Sequence, residues 1–227
     1  MLYNFCMQKQ PFDVAAALDG IRQAVKTYPK AAMFELAERG HAGLFEQLIG
    51  CIISIRTLDE VSLPVALRLF EAAQTPQQIA QLTVQQIQKI IAPSTFAVRK
   101  AGQILAIAQR VVAEFQGELP CDEQTLLSFN GVGVKCAHLA LGVACGQPAI
   151  SVDIHVQRIT NRWGLVATSS PEQTTLALEQ ALPQRFWITI NQLLVPFGKH
   201  ICTAQLPHCS ICPVVQMCRQ IGVSSHQ

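Results

Sequence analysis

Charged side chains are scarce in this chain. Asp, Glu, Lys and Arg make up 14% of its 227 residues, against about 25% in an average domain, and the formal net charge is only +2. A nucleic-acid domain often has a pI above about 9, whereas the pI here is near 8.1. Composition alone therefore does not suggest DNA, and any polyanionic partner has to be held by a few localised groups. No apolar run is long enough to span a bilayer. The first ten residues, MLYNFCMQKQ, lack the basic start, apolar stretch and small-residue cleavage site of a secretory signal, which leads us to expect a cytoplasmic chain. Internal repeats, low-complexity tracts and tether-like linkers are missing too, so any division into domains must be made by packing.

Half of the residues are apolar, enough for a core in one domain or two small ones without a disulfide scaffold. Nine cysteines remain to be explained. In a cytoplasmic chain thiols stay reduced, so metal ligation, catalysis or burial is expected rather than bridging. The periodicity is helical nearly throughout, beginning with Leu44, Phe45, Leu48, Cys51, Ile52 and Ile55 on one face, and no alternating strand pattern competes with it. Thr75-Pro76 and Ser170-Pro171 read as helix starts, and Thr83-Val84-Gln85-Gln86 as a capping box. An apolar stripe from Val98 to Phe115 ends at Gly117 and Pro120. The fold class is all-α.

Three stretches carry chemistry. In LLSFNGVGVKCAHLALGVA, residues 126–144, two apolar helical segments flank Asn130-Gly131-Val132-Gly133. Glycines at Gly131 and Gly133 permit positive φ, so that successive N–H groups can form an anion nest, completed by the N-terminus of the following helix. A plain glycine-capped turn fits the same residues. Lys135 opens that second helix, and SVDIHVQRITNR, residues 151–162, follows with Asp153. Read singly, Lys135 could contact a phosphate and Asp153 could cap a helix. Finally, CTAQLPHCSICPVVQMC, residues 202–218, spaces four cysteines as C-x6-C-x2-C-x5-C. Zinc sites usually show two close ligand pairs, and here only Cys209 and Cys212 form one; four thiolates on one loop can equally hold a [4Fe-4S] cluster. Cys6, Cys51, Cys121, Cys136 and Cys145 lie outside this pattern and read as small buried hydrophobes.

Taken in order, the hairpin, Lys135, the SVDIH stretch and the cysteine group resemble the helix-hairpin-helix DNA glycosylases of the endonuclease III type, over about residues 44–218. The resemblance implies a two-lobed all-α fold: a six-helix barrel with the hairpin over residues 37–147, and a cluster domain built from 1–36 and 148–227. It implies a monomer acting on double-stranded DNA that contains damaged bases or abasic sites, with a [4Fe-4S] cluster ligated by Cys202, Cys209, Cys212 and Cys218. Asn130, Gly131, Val132 and Gly133 would bind the DNA backbone. Lys135 would attack C1′ of a flipped nucleotide as a neutral amine, its pKa lowered by burial or by the helix N-terminus, while Asp153 stabilises the cationic sugar. His155 is expected to support the aspartate rather than act as a base. Because adenine-removing relatives typically lack the lysine, Lys135 argues for the bifunctional glycosylase and abasic-site lyase, acting on oxidised or otherwise altered pyrimidines.

Departures from the pattern bear on substrate. Arg56 stands where relatives usually carry glutamine, a position associated with filling the space of the flipped base, and arginine would put a planar five-donor group there. Phe96 is the candidate wedge in Thr95-Phe96-Ala97-Val98-Arg99-Lys100, where relatives show a glycine-aromatic-asparagine stretch. Val134 replaces a usually basic hairpin residue, and 203–208 carries no Lys or Arg, so few phosphate contacts and a shallow salt dependence of binding are expected. Two alternatives stay open: a monofunctional, mismatch- or purine-directed glycosylase, and a non-enzymatic iron-sulfur protein that binds DNA.

Overall fold

The computed structural model describes residues 9–227, and Cys6 lies outside them. Two compact units result, one from Met1–Lys30 with Val152–Gln227 and the other from Ala31–Ser151. No strand occurs among the described residues, and no helix is long and apolar enough to cross a membrane.

In chain order the helices are α1 (Val14–Ala24), α2 (Ala32–Glu38), α3 (Leu44–Ser54), α4 (Asp59–Ala72), α5 (Pro76–Ala80), α6 (Val84–Ile91), α7 (Ala97–Phe115), α8 (Glu123–Leu127), α9 (Val134–Cys145), α10 (Ile154–Trp163), α11 (Pro171–Ala181) and α12 (Trp187–His200). Their starts are chemically marked. Asp13, Thr75, Thr83, Asp122, Asp153 and Ser170 each accept a bond from a first-turn N–H, which satisfies a donor that has no partner inside the helix. The reciprocal bond, donated by the Thr75 or Thr83 N–H to the Gln78 or Gln86 side-chain oxygen, completes the capping box.

Residues 31–151 are built around α3, which packs on α2, α4, α7 and α9. Leu48, Ile49, Ile52 and Ile53 are at most 1% exposed, each contributing roughly 1.5–3 kcal/mol by leaving water. Helix α7 turns Ala101, Ile104, Ala108 and Val111 inward against α5 and α6, while Val98, at the start of the same stripe, is exposed. The first boundary of this unit falls before α2 rather than at residue 37 because that helix packs on α3, α4 and α9. In the other unit α12 packs against α1 and α10, with the buried Trp163 indole 4.9 Å from the Phe12 ring.

One expectation is overturned. Cys121 and Cys145 are not packing thiols but a disulfide, with Cα atoms 6.2 Å apart. Cys121 lies just before α8 and Cys145 is the last residue of α9, so the antiparallel return of the hairpin brings the two together. Cys51 and Cys136 are buried as expected, on α3 and α9.

Candidate functional site

The hairpin between α8 and α9 exposes Asn130, Gly131 and Gly133 and turns Phe129 and Val132 into the core. Only Gly131 uses the left-handed region, at φ +86; Gly133, the N-cap of α9, is extended at φ −101 and ψ 171. The reasons for the two glycines therefore differ. A Cβ on Gly131 would lie 1.9 Å from the Gln103 amide nitrogen, whereas one on Gly133 would meet nothing within 4 Å, which leaves open space for a ligand to approach the backbone. The N–H of Val132 points inward to the Phe129 carbonyl at 3.1 Å, so Val132 shapes the turn rather than offering a donor. Among the described residues the N–H groups of Gly131, Gly133, Val134 and Lys135 have no backbone acceptor, so they are the donors that an anion could meet.

Lys135 is the second residue of α9 and is exposed. The burial expected for it is not supplied within residues 31–151. Its carbonyl accepts from the Ser151 hydroxyl at 3.2 Å, which ties the segment after α9 to the first turn of that helix. Two further contacts fix the hairpin. Arg110 of α7 donates to the Ser128 carbonyl at 3.2 Å and lies 4.8 Å over the Phe129 ring, and His138 bridges Glu123 at 2.9 Å and the Ile150 carbonyl at 3.0 Å.

Beside the hairpin opens a cleft of about 350 Å³ lined by Ile55, Arg56, Phe96, Arg99, Lys100, Gln103 and Gly131. Arg56 and Phe96, which lie forty residues apart in the sequence, are thus brought together with the first hairpin glycine. Both have left-handed backbones, φ +52 and +61, a conformation that costs on the order of 1–3 kcal/mol for a side chain of this size. Phe96 is 55% exposed. An aromatic ring held outward on a strained turn has lost core burial and gained accessibility, as an inserting residue requires.

Asp153 is the N-cap of α10: its Oδ1 accepts from the His155 and Val156 N–H groups, both at 2.9 Å. The capping role and a chemical role are compatible, since Oδ2 accepts no hydrogen bond among the described residues. His155 meets Arg158 through Nδ1 at 3.2 Å, a supporting contact.

Cys202, Cys209, Cys212 and Cys218 line one cavity. Burial pushes the Cys212 thiol up to about 12, and the three neighbouring sulfurs add to the shift; burial raises the Cys218 thiol as well, so these two are poorly placed to ionise on their own. The surroundings favour an anion. Arg162, 7% exposed, donates to the Thr203 and Ala204 carbonyls and reaches the Cys202 sulfur at 3.4 Å. Arg158 donates to the Gly198 and Cys202 carbonyls, and its Nε is buried without a partner. Neither guanidinium is ion-paired among the described residues, so a negatively charged thiolate-ligated group would compensate the buried Arg162 and the half-buried Arg158. No three such side chains converge tightly enough to hold a single ion among the described residues.

Residues 49–184 match the HhH-GPD superfamily of base excision DNA repair proteins. The chain belongs to this superfamily. Endonuclease III of Thermotoga maritima is 36% identical over 87% of this chain and 89% of its own length, which places the chain in the endonuclease III family. A chloroplastic endonuclease III homolog of Arabidopsis thaliana is 40% identical over 77% of the chain, which spans about half (47%) of that relative's length. Among solved structures, an endonuclease III in a trapped covalent intermediate with DNA superposes with a TM-score of 0.78 at 28% identity, over 91% of this chain and 94% of that one.

Within this HhH-GPD chain, sequence reasoning missed Lys100, Arg110 and His138, which brace the cleft and the hairpin, Gln103, which lines the cleft beside Gly131, and Arg158 and Arg162, which serve the cysteine loop. The signal for Lys100 was present: it sits four residues before Ile104, on the buried register of α7.

Proposed function

We propose that this protein is a base excision repair DNA glycosylase with abasic-site lyase activity, acting as a monomer on damaged, pyrimidine-derived lesions in duplex DNA. The observation that carries the reading is the exposed Lys135 on the first turn of α9, beside the exposed Gly131 and Gly133, whose N–H groups have no backbone acceptor among the described residues. Those donors and the helix dipole would seat the DNA phosphates, and the extruded nucleotide would be presented to the amine. Desolvation of Lys135 would come from the bound DNA, since the folded unit leaves it exposed.

Lys135 Nζ forms a bond to C1′ as the bond to the base breaks. One amine proton passes by way of Asp153 to the departing base and the other to the ring oxygen, so that the opened sugar is held as an imine. Asp153 stabilises the cationic sugar before the bond forms and accepts the proton released by the attacking amine, its side chain oriented by the two N–H groups of its cap. Loss of the C2′ proton then expels the 3′ phosphate by β-elimination. Arg56 and Phe96 would occupy the gap left in the duplex, the phenyl ring as wedge and the guanidinium against the unpaired base. Cys202, Cys209, Cys212 and Cys218 would hold a [4Fe-4S] cluster whose role is to fix the 202–218 loop; purified protein should carry iron and acid-labile sulfide in equal amounts, and zinc in their place would overturn that assignment.

The deciding experiment is borohydride trapping on duplexes carrying an abasic site or an oxidised pyrimidine. A covalent adduct that disappears in Lys135→Ala is expected. An adduct that survives Lys135→Ala, or none on any duplex, would refute the lyase assignment.

A further inference from the structure

Lys100 has no part in the chemistry above, yet it is the most unusual cation in the chain. It is 2% exposed and donates to the Ile53 carbonyl at 2.6 Å, the Ile55 carbonyl at 2.8 Å and the Thr57 hydroxyl at 3.0 Å. An ammonium has three donors, and all three are used. The acceptors flank Arg56 on both sides. Thr57 Oγ1 also accepts the N–H of Thr95 at 3.1 Å, the residue immediately before Phe96. One buried cation and one hydroxyl therefore tie together the two turns whose central residues, Arg56 and Phe96, have left-handed backbones. Neither turn carries glycine at its strained position, so something outside the turn has to hold it there.

We propose that Lys100 is a positioning residue, whose ammonium locks the Arg56 and Phe96 turns into one rigid two-pronged element that enters the DNA stack at the lesion. The charge is suited to this because it is fully consumed by oxygens of the protein and not by DNA. Burial pulls its pKa down to about 8, which is the cost of keeping a cation where no carboxylate pairs with it among the described residues. A guanidinium would not substitute, since its planar fork does not match three oxygens converging on one nitrogen. This inference rests on the repair reading, which gives the prongs their target.

The test uses the full-length protein and two variants, Lys100→Met, which keeps the apolar stem, and Thr57→Val, which removes only the shared hydroxyl. Hydrogen exchange should rise at residues 55–57 and 94–96 in both variants and stay unchanged in α3 and α9. A duplex with a stable abasic analogue and 2-aminopurine opposite it should brighten when wild-type protein inserts. That signal should fall in both variants, and borohydride trapping should slow by about 10-fold or more, while binding to undamaged duplex, held by the hairpin, changes less than about twofold. If Lys100→Met does not fold, Thr57→Val carries the same comparison. Variants that insert and trap like wild type would overturn the inference, whether or not exchange rises. Failure of the repair reading would look different, because wild-type protein itself would then give no adduct, while the exchange measurement would still show whether Lys100 holds the two turns.

Discussion

Removing the Cys121–Cys145 disulfide tests how firmly the hairpin is held. The bridge spans a sequence separation of 24 that contains all of α8, the turn and α9. For a loop of that length the chain-entropy relation gives about 12 cal/mol/K, or about 3.4 kcal/mol at 25 °C, lost when the cross-link is absent from the unfolded chain. A unit the size of residues 31–151 unfolds with an entropy of about 250 cal/mol/K, so Cys121→Ala combined with Cys145→Ala should lower its melting temperature by about 13 °C. Substitution is better than reductant, because it leaves the four cysteines of the other unit untouched. The assay is thermal unfolding followed by circular dichroism, with alkylation of the unfolded chain to count free thiols. Cys51 and Cys136 serve as internal references, being buried in the native state and free. The reasoning is refuted if the double variant melts within about 2 °C of the parent, or if Cys121 and Cys145 alkylate without prior reduction.

The other expectations follow from single contacts. Lys100 binds its proton less tightly when folded, near pH 8, than in the unfolded chain, whose value is near 10.5. Below pH 8 both states are protonated and the whole penalty is present; between 8 and 10.5 the unfolded state holds the extra proton, so stability should rise with pH by about 3 kcal/mol in all, and denaturant melts of Lys100→Met should lack that rise. Gly131→Ala meets both a left-handed φ and the Gln103 amide, and should cost about 1–2 kcal/mol in a urea melt. Gly133→Ala should stay within about 0.5 kcal/mol of wild type yet weaken DNA binding in a titration, since its methyl group points into the space a phosphate would use. Asp153→Asn should keep the melting temperature, because an amide oxygen can still accept the cap bonds, while excision falls by about two orders of magnitude or more in single-turnover assays.

Helix order, capping residues and the hairpin were legible in the sequence because each depends on neighbours within a few positions. Thr75, Thr83 and Ser170 act locally, and their signals are local. Arg56 and Phe96 were readable as candidates, but their meeting in one cleft with Gly131 was not, since it depends on how α3 and α7 pack. The disulfide was missed for a related reason: its proximity comes from the hairpin's return, while the expectation of reduced thiols came from compartment. The equal treatment of Gly131 and Gly133 failed because residue type says only that a left-handed φ is permitted. Lys100 was overlooked although a charged residue on the buried register of an amphipathic helix is itself a signal.

The cap at the start of α10 has an evolutionary consequence. Asp153 fastens a helix with one carboxylate oxygen and has the other available for chemistry, so most replacements at this position would damage the fold before their effect on catalysis could be selected. Asparagine keeps the cap bonds while losing the charge, and it lies one transition mutation away from an aspartate codon. On the proposed repair reading, a lineage could therefore pass in a single step from a repair enzyme to an intact protein that finds lesions and holds them without cutting, with no folding barrier in between.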